Sequence, residues 1–161
     1  MKCISVIQPW ATLIVHGSKR LETRPWRTPH RGRLAIHATR NFPEAARARC
    51  LAEPFRSLLR EAGYLHSADL PRGAIVGTVE LLDCVPAEEA LRLVTDSPEP
   101  DFGDYAAGRW AWRLANPIRF AAPIPFCGRL GLFEVPDFFQ EAADSADAIA
   151  GRIGPHPLRS A

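Results

Sequence analysis

Residues 5–37 read SVIQPWATLIVHGSKRLETRPWRTPHRGRLAIH, a segment that proline and glycine divide at short intervals. Pro9 suits the first turn of a helix, and Gly17 supplies its C-terminal stop. The chain over residues 19–26 is predicted to be extended. The alternation of apolar and polar residues over residues 32–38 predicts a further strand.

The remainder of the chain alternates strand-like apolar runs with helical patterns. The strongest buried strand is predicted over Gly73–Val85. The best helix candidate is 43–62, in which Pro54 predicts a kink or a break. A polar loop at 95–108 is predicted to be mobile. The other predicted elements are a strand at 3–7, a short helix at 86–94, closing strands at 109–114, 118–120 and 129–135, and a terminal helix at 137–150.

The predicted strands outnumber and enclose the helices, which is typical of an α+β domain. We expect a small, mixed and partly open β-barrel with two to four flanking helices. The length of 161 residues suits one domain. We place this domain at 1–136, followed by a C-terminal helix and flexible tail at 137–161.

The composition narrows the class of protein. It is 47% hydrophobic and 24% charged, as in an ordinary globular chain. No window suits a membrane span and no signal-peptide pattern occurs, so we expect a cytoplasmic protein without a membrane partner. The spacing of the four cysteines predicts free thiols and no metal site. No phosphate-cradling Gly-rich loop or dinucleotide fingerprint occurs, so no cofactor is expected.

Charge is distributed unevenly along the chain. Residues 1–72 hold 13 Lys and Arg against 5 Asp and Glu, whereas residues 73–161 hold 7 against 13. This asymmetry favours one basic face and a polyanionic partner. The alternative is a solvated surface on which the charges of the two halves mix once the chain folds.

Cations interleaved with tryptophans are typical of a surface that holds a phosphate backbone and stacks bases. Trp26, flanked by Arg24 and Arg27, is the better stacking candidate, whereas Trp10 is expected to be a core residue that also forms a cleft wall. The amide of Gln8 could read a base edge or tie the strand end to the barrel.

Lys19 and Glu22 are the residues with candidate chemistry. In a cleft, Lys19 could hold a phosphate or, if desolvated, lower the pKa of a neighbour; otherwise it is a solvated side chain at a strand start. Glu22 shares a strand face with Arg24. The glutamate could form a structural ion pair, accept from the exocyclic amine of cytosine or adenine, or act as a general acid or base.

A group of cations that includes Arg31, Arg33 and Arg40 is expected to position a nucleic-acid backbone. His37 lies among them without a second His or Cys at zinc-ligand spacing, so no metal is expected there. The predicted nucleic-acid contacts are Gln8, Pro9, Trp10, Lys19, Glu22, Arg24, Trp26, Arg31, His37 and Arg40.

Several unusual residues recur at spacings that resemble the ASCH domain family. The N-terminal motif consists of Ser5–Ala11, Gly17–Glu22, Arg24, Trp26, Arg31, Gly32 and Ile36–Ala38. Later segments resemble the central and closing strands of the family: Gly73–Val79, Trp112–Leu114, Pro123–Pro125 and Gly128–Phe133. The resemblance covers about residues 3–136, and the chain is closer to the longer, cointegrator-like members than to the smallest bacterial enzymes.

The resemblance implies a PUA-like β-barrel with a cleft beside the first helix, and binding of RNA, DNA or a modified nucleoside. Some small bacterial members of the family are amidohydrolases that act on N4-acylcytidines, and others are ribonucleases. The amidohydrolases use a lysine, a threonine three residues on and a glutamate from a distant loop. By resemblance Lys19 takes the lysine position and Glu22 the threonine position, with Thr23 adjacent. The glutamate could come from the loop that holds Glu99, Asp101 and Asp104.

Three hypotheses about function follow. The first is a module that binds RNA, single-stranded DNA or a nucleotide. The second is a metal-independent amidohydrolase or ribonuclease that uses Lys19 and Glu22, with water or Thr23 as the attacking group. The third is an interaction platform whose basic face binds an acidic protein partner.

Overall fold

The computed structural model describes residues 1–92, 94 and 97–152, with the side chains of 146–152 left out. The described part contains six strands and five α-helices, together with 3₁₀ turns at Ser67–Asp69 and Glu99–Phe102. The strands are β1 (Lys2–Val6), β2 (Leu21–Arg24), β3 (Gly32–Ala38), β4 (Ala74–Pro86), β5 (Trp110–Pro125) and β6 (Leu132–Glu134). The helices are α1 (Trp10–His16), α2 (Glu44–Arg49), α3 (Phe55–Glu61), α4 (Ala87–Arg92) and α5 (Phe138–Arg152).

All six strands belong to one mixed sheet in the order β2-β5-β4-β3-β1-β6. Strands β1 and β3 pair in parallel, with Val6 opposite Ala38, whereas the other neighbours are antiparallel. The sheet forms a half-barrel with helices around it, which confirms the predicted α+β, barrel-like class. Because β1 and β3 run in the same direction, their C-terminal ends meet at one edge of the sheet.

The long β4–β5 pair forms the centre of the sheet, and its register shifts at several points. One shift lies at Gly77, where a Cβ atom would stand 2.2 Å from the backbone oxygen of Ile118. Only glycine fits this close approach of two strands, so the bulge depends on it. The strands predicted separately at 109–114 and 118–120 are joined in β5.

The helix predicted over 43–62 is divided into α2 and α3. Pro54 stands immediately before α3, where its missing N–H and fixed φ end one helix and permit the start of the next. The number of described helices is therefore five, above the predicted two to four. Helix α1 ends at Gly17, whose φ of 91° favours glycine.

Apolar clusters connect the helices to the sheet. The central cluster packs α1 on the sheet and includes Trp112, which is 0% exposed. A second cluster joins α5 to the sheet through Phe139 and Ala143. A third joins α1, α2 and α3 to Phe102, so part of the loop predicted to be mobile is packed on the domain. Residues 95 and 96 of that loop, and residues 153–161 of the tail predicted from Gly151 onward, lie outside the described residues.

Charges from the two halves of the chain meet across the fold. Arg31 Nη2 lies 2.7 Å from Asp83 Oδ1, and Arg33 Nη1 lies 2.7 Å from Asp144 Oδ1. Each pair joins a cation of residues 1–72 to an acid of residues 73–161. At these positions the charges of the two halves of the chain mix on the surface, as in the alternative to a single basic face.

All four cysteines are free thiols, as predicted. Cys3, Cys50 and Cys84 are buried, whereas Cys127 is exposed. Burial raises the pKa of the Cys3 thiol to about 12, which keeps it protonated and unreactive. No helix in the described ranges is long and apolar enough to cross a bilayer.

Candidate nucleic-acid interface

A cleft of about 300 Å³, here named the α1 cleft, opens beside α1 at the edge of the sheet where β1 ends. Its walls come from the β1–α1 junction, from β2 and from residues 102–109. The family resemblance implied a cleft in this position. Its lining includes Ser5, Ile7, Trp10, Glu22, Arg24, Phe102 and Arg109.

One wall of the α1 cleft is a packed row of apolar side chains. The half-buried ring of Trp10 meets Phe55 edge-on, with 5.8 Å between the ring centroids. Phe55 meets Phe102 edge-on at 5.2 Å. Ile7 leaves 36% of its surface exposed in the same lining. Phe55 and Phe102 are buried, so Trp10 and Ile7 are the members of this row that offer a planar base a stacking surface, and the buried rings hold Trp10 in place before binding.

Another wall of the α1 cleft is polar, and β2 supplies it. Glu22 Oε1 lies 2.9 Å from Arg24 Nη2, and the same nitrogen donates to the Ser5 backbone oxygen at 2.8 Å. Residues two apart in a strand share a face, so the acid and the guanidinium stand together in the cleft, as the sequence predicted. Arg24 also ties β2 to the end of β1, which fixes the width of the cleft.

Lys19 lies behind the α1 cleft rather than in its lining. The residue is 2% exposed, and Nζ donates to the Leu21 backbone oxygen and stands 3.7 Å from Glu22 Oε2. Burial lowers the pKa of Lys19, and the carboxylates of Glu22 and Glu99 partly oppose that shift. The lysine borders a separate cavity of about 580 Å³. It therefore supplies positive charge to Glu22 from inside the fold.

Glu99 joins this charge cluster from the loop that follows α4. The residue is 0% exposed, and its Oε1 accepts the backbone N–H groups of Arg20 and Leu21, the latter at 3.1 Å. Its Oε2 accepts the Tyr105 hydroxyl at 3.1 Å. Burial and the neighbouring carboxylate raise the pKa of Tyr105, so that hydroxyl keeps its proton and donates. Glu99 thus fastens the loop to the start of β2.

The other two loop acids that the resemblance suggested stand apart from this cluster. Asp101 and Asp104 are both exposed. Thr23 contributes to the lining of the α1 cleft. Among the described residues no group of three or more His, Cys, Asp and Glu side chains is placed to hold a metal ion.

A second recess of about 490 Å³, here named the β3 groove, adjoins the α1 cleft. Its lining includes His37 and Arg40 at the end of β3 and the turn from Phe126 to Arg129. Ser5 lines both recesses, so they meet at this residue.

His37 supports the β3 groove from inside and is 3% exposed. Its Nε2 lies 3.0 Å from the Phe126 backbone oxygen, which can only accept, so Nε2 carries a proton. Its Nδ1 lies 3.2 Å from Ser5 Oγ, which is also 3.0 Å from the Arg129 backbone oxygen. Burial lowers the pKa of His37. In place of the predicted nucleic-acid contact, His37 has a structural role, because it anchors this turn to β1 and β3.

Gln8 is also an interior residue, with an exposure of 0%. Its amide nitrogen donates to the Pro71 backbone oxygen at 2.8 Å, and its amide oxygen accepts the Thr12 N–H at 3.1 Å. This geometry matches the alternative in which the amide ties the strand end to the barrel. Gln8 is therefore covered and lies outside the lining of the α1 cleft.

Trp26, predicted to be the stacking residue, packs against the core instead. Its ring meets Trp112 edge-on with 4.9 Å between centroids. Pro9 is buried at the N-cap of α1. Trp10 lines the α1 cleft and Trp26 does not, although both indole rings are half-buried against the central apolar cluster.

The predicted cations are divided between different surfaces. Arg24 lines the α1 cleft and Arg40 lines the β3 groove. Arg31 precedes β3, at the end of the strand remote from both recesses, and pairs with Asp83. Within the predicted set, Trp10, Glu22 and Arg24 come together in one cleft, whereas Arg31 does not join them.

The lining residues that were not among the predicted contacts include Ile7, Phe102 and Arg109. Arg109 donates from Nη2 to the Thr23 backbone oxygen at 3.4 Å and from Nε to the Asp104 backbone oxygen at 3.0 Å. The one sequence signal for Phe102 is that it is the large apolar residue of a polar loop.

Comparison with known proteins places this geometry in a family. The family model for the ASCH domain matches residues 4–124. Activating signal cointegrator 1 of Homo sapiens is 33% identical over 141 residues, which cover 88% of this chain and 23% of that protein. The Mus musculus protein of the same name is 32% identical over the same length. The chain thus spans about a quarter of the length of these curated relatives.

Solved structures show the same fold. The crystal structure of ASCH from Zymomonas mobilis has a TM-score of 0.55 and 18% identity, and the match covers 89% of this chain and 93% of that one. A crystal structure of a point mutant of that protein gives a TM-score of 0.54 with 17% identity, and the match covers 89% of this chain and 96% of the mutant. The family model covers most of the chain and the solved structures share its half-barrel. The chain therefore belongs to the ASCH domain family.

Proposed function

We propose that this domain binds RNA, single-stranded DNA or a nucleotide in the α1 cleft. The observation that supports this function best is the composition of one recess, in which an indole ring, an acid and two guanidinium groups stand together. The lining places Trp10 beside Glu22, with Arg24 and Arg109 around them. Membership of the ASCH family agrees with the proposal.

Each wall has a part in this proposal. Trp10 and Ile7 stack on one base, an interaction that contributes about 1–3 kcal/mol. Glu22 accepts the exocyclic amine of cytosine or adenine, since its carboxylate keeps acceptor sites beyond those used by Arg24. Arg24 and Arg109 bind the flanking phosphates. The charge of Lys19 stabilises the Glu22 carboxylate from behind.

Fluorescence anisotropy with a labelled 12-nucleotide single strand, as RNA and as DNA, tests the proposal. We expect the logarithm of the affinity to fall linearly with the logarithm of the salt concentration between 50 and 200 mM, because binding releases counterions. We expect Trp10→Ala to weaken binding by about 5- to 150-fold, which corresponds to the loss of one stacked base.

Two further variants separate binding from folding. Arg109→Gln removes a cation of the cleft and should weaken binding. Arg56→Gln removes an exposed cation of α3, which pairs with Glu53 just before that helix, and should not weaken binding. Thermal unfolding of each variant checks that the domain is folded. The proposal fails if the intact domain shows no affinity at 50 mM salt, or an affinity that salt leaves unchanged.

A second candidate function is metal-independent hydrolysis of an N4-acylated cytidine or of RNA. It is favoured by the buried amine of Lys19, whose Nζ stands 3.7 Å from Glu22 and whose pKa burial lowers. Glu99 comes from a distant loop. Lys19 and Glu99 together supply two of the three catalytic residues that the family resemblance implied. The third part, a threonine, is replaced by Glu22, so attack would fall to water or to Thr23.

Incubation of the pure protein with N4-acetylcytidine and with RNA, in the presence and absence of a chelator, tests this candidate. Turnover that persists with the chelator and is lost in Glu22→Gln supports it. Absence of turnover by the intact protein contradicts it and leaves the binding proposal unaffected.

An acidic protein partner is a third possibility for the same surface. The name of the curated relatives, activating signal cointegrator 1, agrees with a role in bringing other molecules together. Competition between the labelled single strand and an acidic peptide would show whether one surface serves both. For such a role we propose a cytoplasmic location, which suits the four free thiols.

A further inference from the structure

We propose that the β3 groove is a second subsite, which binds the neighbouring nucleotides of the strand whose base lies in the α1 cleft. This inference rests on the proposed function. It names the ligand class more narrowly, as a single-stranded oligonucleotide rather than a free nucleoside or mononucleotide.

The first observation that supports this subsite is that the two recesses are continuous. Ser5 lines both the α1 cleft and the β3 groove. The backbone oxygen of Ser5 is held by Arg24 on the cleft side, and its hydroxyl contacts His37 on the groove side. A chain that leaves the α1 cleft across Ser5 therefore enters the β3 groove directly.

The second observation is the positive charge of the β3 groove. The described lining of the β3 groove contains Arg40 and Arg129 and no Asp or Glu. Both arginines are exposed, and neither guanidinium has an ion-pair or hydrogen-bond partner within the part of the chain that the structure describes. Arg31 and Arg33, by contrast, are paired with acids. Arg40 and Arg129 therefore remain available to an external anion.

The third step is that the groove is formed in advance. The Phe126 N–H donates to the Gly73 backbone oxygen at 3.0 Å, and His37 and Ser5 hold the rest of the turn. A Cβ atom on Gly128 would stand 2.3 Å from the His37 ring, so the turn packs directly on that ring. A fixed wall lowers the entropic cost of ligand binding.

Apolar surface beside the cations is the fourth step. Leu130 lines the groove and is 99% exposed, and the half-buried Phe126 belongs to the same lining. Apolar surface in one recess with two guanidinium groups suits a base together with its phosphates. An acidic peptide would use the cations but not this apolar surface, so the structure favours the oligonucleotide.

The experiment is a length series of oligouridylate and oligodeoxythymidylate, with 2, 4, 8 and 12 nucleotides, on the full chain. We expect affinity to rise with length until both recesses are filled. The double variant Arg40→Gln/Arg129→Gln should bind the dinucleotide within about twofold of the original protein. With the 12-mer its log–log salt slope should be smaller by about 1.4, because each phosphate contact on a single strand contributes about 0.7.

A matched double variant, Arg56→Gln/Arg60→Gln, removes the same charge from exposed positions on α3 and should retain the original slope. An unchanged 12-mer slope in the Arg40/Arg129 variant, with weaker binding in Arg109→Gln, would overturn the second subsite and leave the proposed function intact. Displacement of the 12-mer by polyglutamate, without any gain from oligonucleotide length, would assign the groove to an acidic protein and also overturn it. Failure of every oligonucleotide to bind would reject the proposed function itself.

Discussion

Glu99 shows how one side chain organises the site at the scale of a residue. A buried carboxylate is costly unless it is hydrogen-bonded and near an opposite charge. Glu99 accepts two backbone N–H groups and the Tyr105 hydroxyl, and its charge acts on Lys19. The loop, the start of β2 and the buried lysine are therefore held together through a single side chain.

Replacement of Glu99 by alanine should destabilise the domain by about 3–5 kcal/mol, because it leaves buried donors unpaired and removes one of the two carboxylates that act on the buried Lys19. Asp101→Ala changes an exposed acid of the same 3₁₀ turn and should stay within about 0.5 kcal/mol. Urea unfolding measures both free energies. Equal stabilities of the two variants would show that the Glu99 contacts contribute nothing net.

His37 predicts a pH dependence of stability. Its pKa in the folded protein is below 6.5, so the unfolded chain takes up a proton first as the pH falls. The stability that comes from the neutral ring is fully present above pH 6.5 and is lost as the pH falls through the folded-state pKa. We expect urea unfolding at pH 7.5 and 5.5 to show a smaller loss for His37→Gln than for the original protein. Parallel losses would contradict this assignment.

At the scale of elements, α5 packs on the sheet rather than extending from it. Phe139 and Ala143 are both 0% exposed, in a cluster that also holds Cys3 and Phe133. The proposed boundary between a domain at 1–136 and a following helix therefore divides a packed core. This packing means that the helix contributes to the stability of the domain.

Two adjacent phenylalanines test the contribution of α5. Phe139→Ala should cost about 3–5 kcal/mol, because it opens a cavity in the second apolar cluster. Phe138, whose ring stacks on Phe139 at 4.1 Å, is 50% exposed, so Phe138→Ala should cost less. Thermal and urea unfolding compare the two variants. A similar loss for both would mean that α5 packs less specifically than described.

At the scale of the whole molecule, charge has different consequences for folding and for binding. The pairs Arg31–Asp83 and Arg33–Asp144 join the two halves of the chain but are partly exposed. Exposed pairs contribute about 0–1 kcal/mol each and are screened by salt. Ligand phosphates would add contacts that these pairs do not make, and each such contact releases counterions, so salt should act mainly on binding.

We therefore expect the free energy of unfolding to change by no more than about 2 kcal/mol between 50 and 500 mM salt. Over part of the same range, affinity for a single strand should fall steeply. Urea unfolding and anisotropy on the same sample provide the comparison. A collapse of stability at high salt would show that these ion pairs, rather than the apolar clusters, hold the halves together.

Much of the fold could be predicted from the sequence because its signals are local. Pro9 and Gly17 delimit α1, and the apolar run of β4 identifies the central strand. The absence of Trp26 from the cleft lining could not be predicted, because both tryptophans have polar neighbours in sequence. Trp26 packs edge-on against Trp112, which lies far along the chain and which no local pattern connects to it. The pairing of Arg31 with Asp83 could not be predicted either, because that aspartate lies on a strand distant in sequence.

Cys127 gives the β3 groove a practical property. It lines the groove and is exposed, whereas the other three cysteines are buried. A maleimide dye should therefore attach at this position in the native protein without any engineering. The emission of such a dye would report occupancy of the groove without a signal from the α1 cleft.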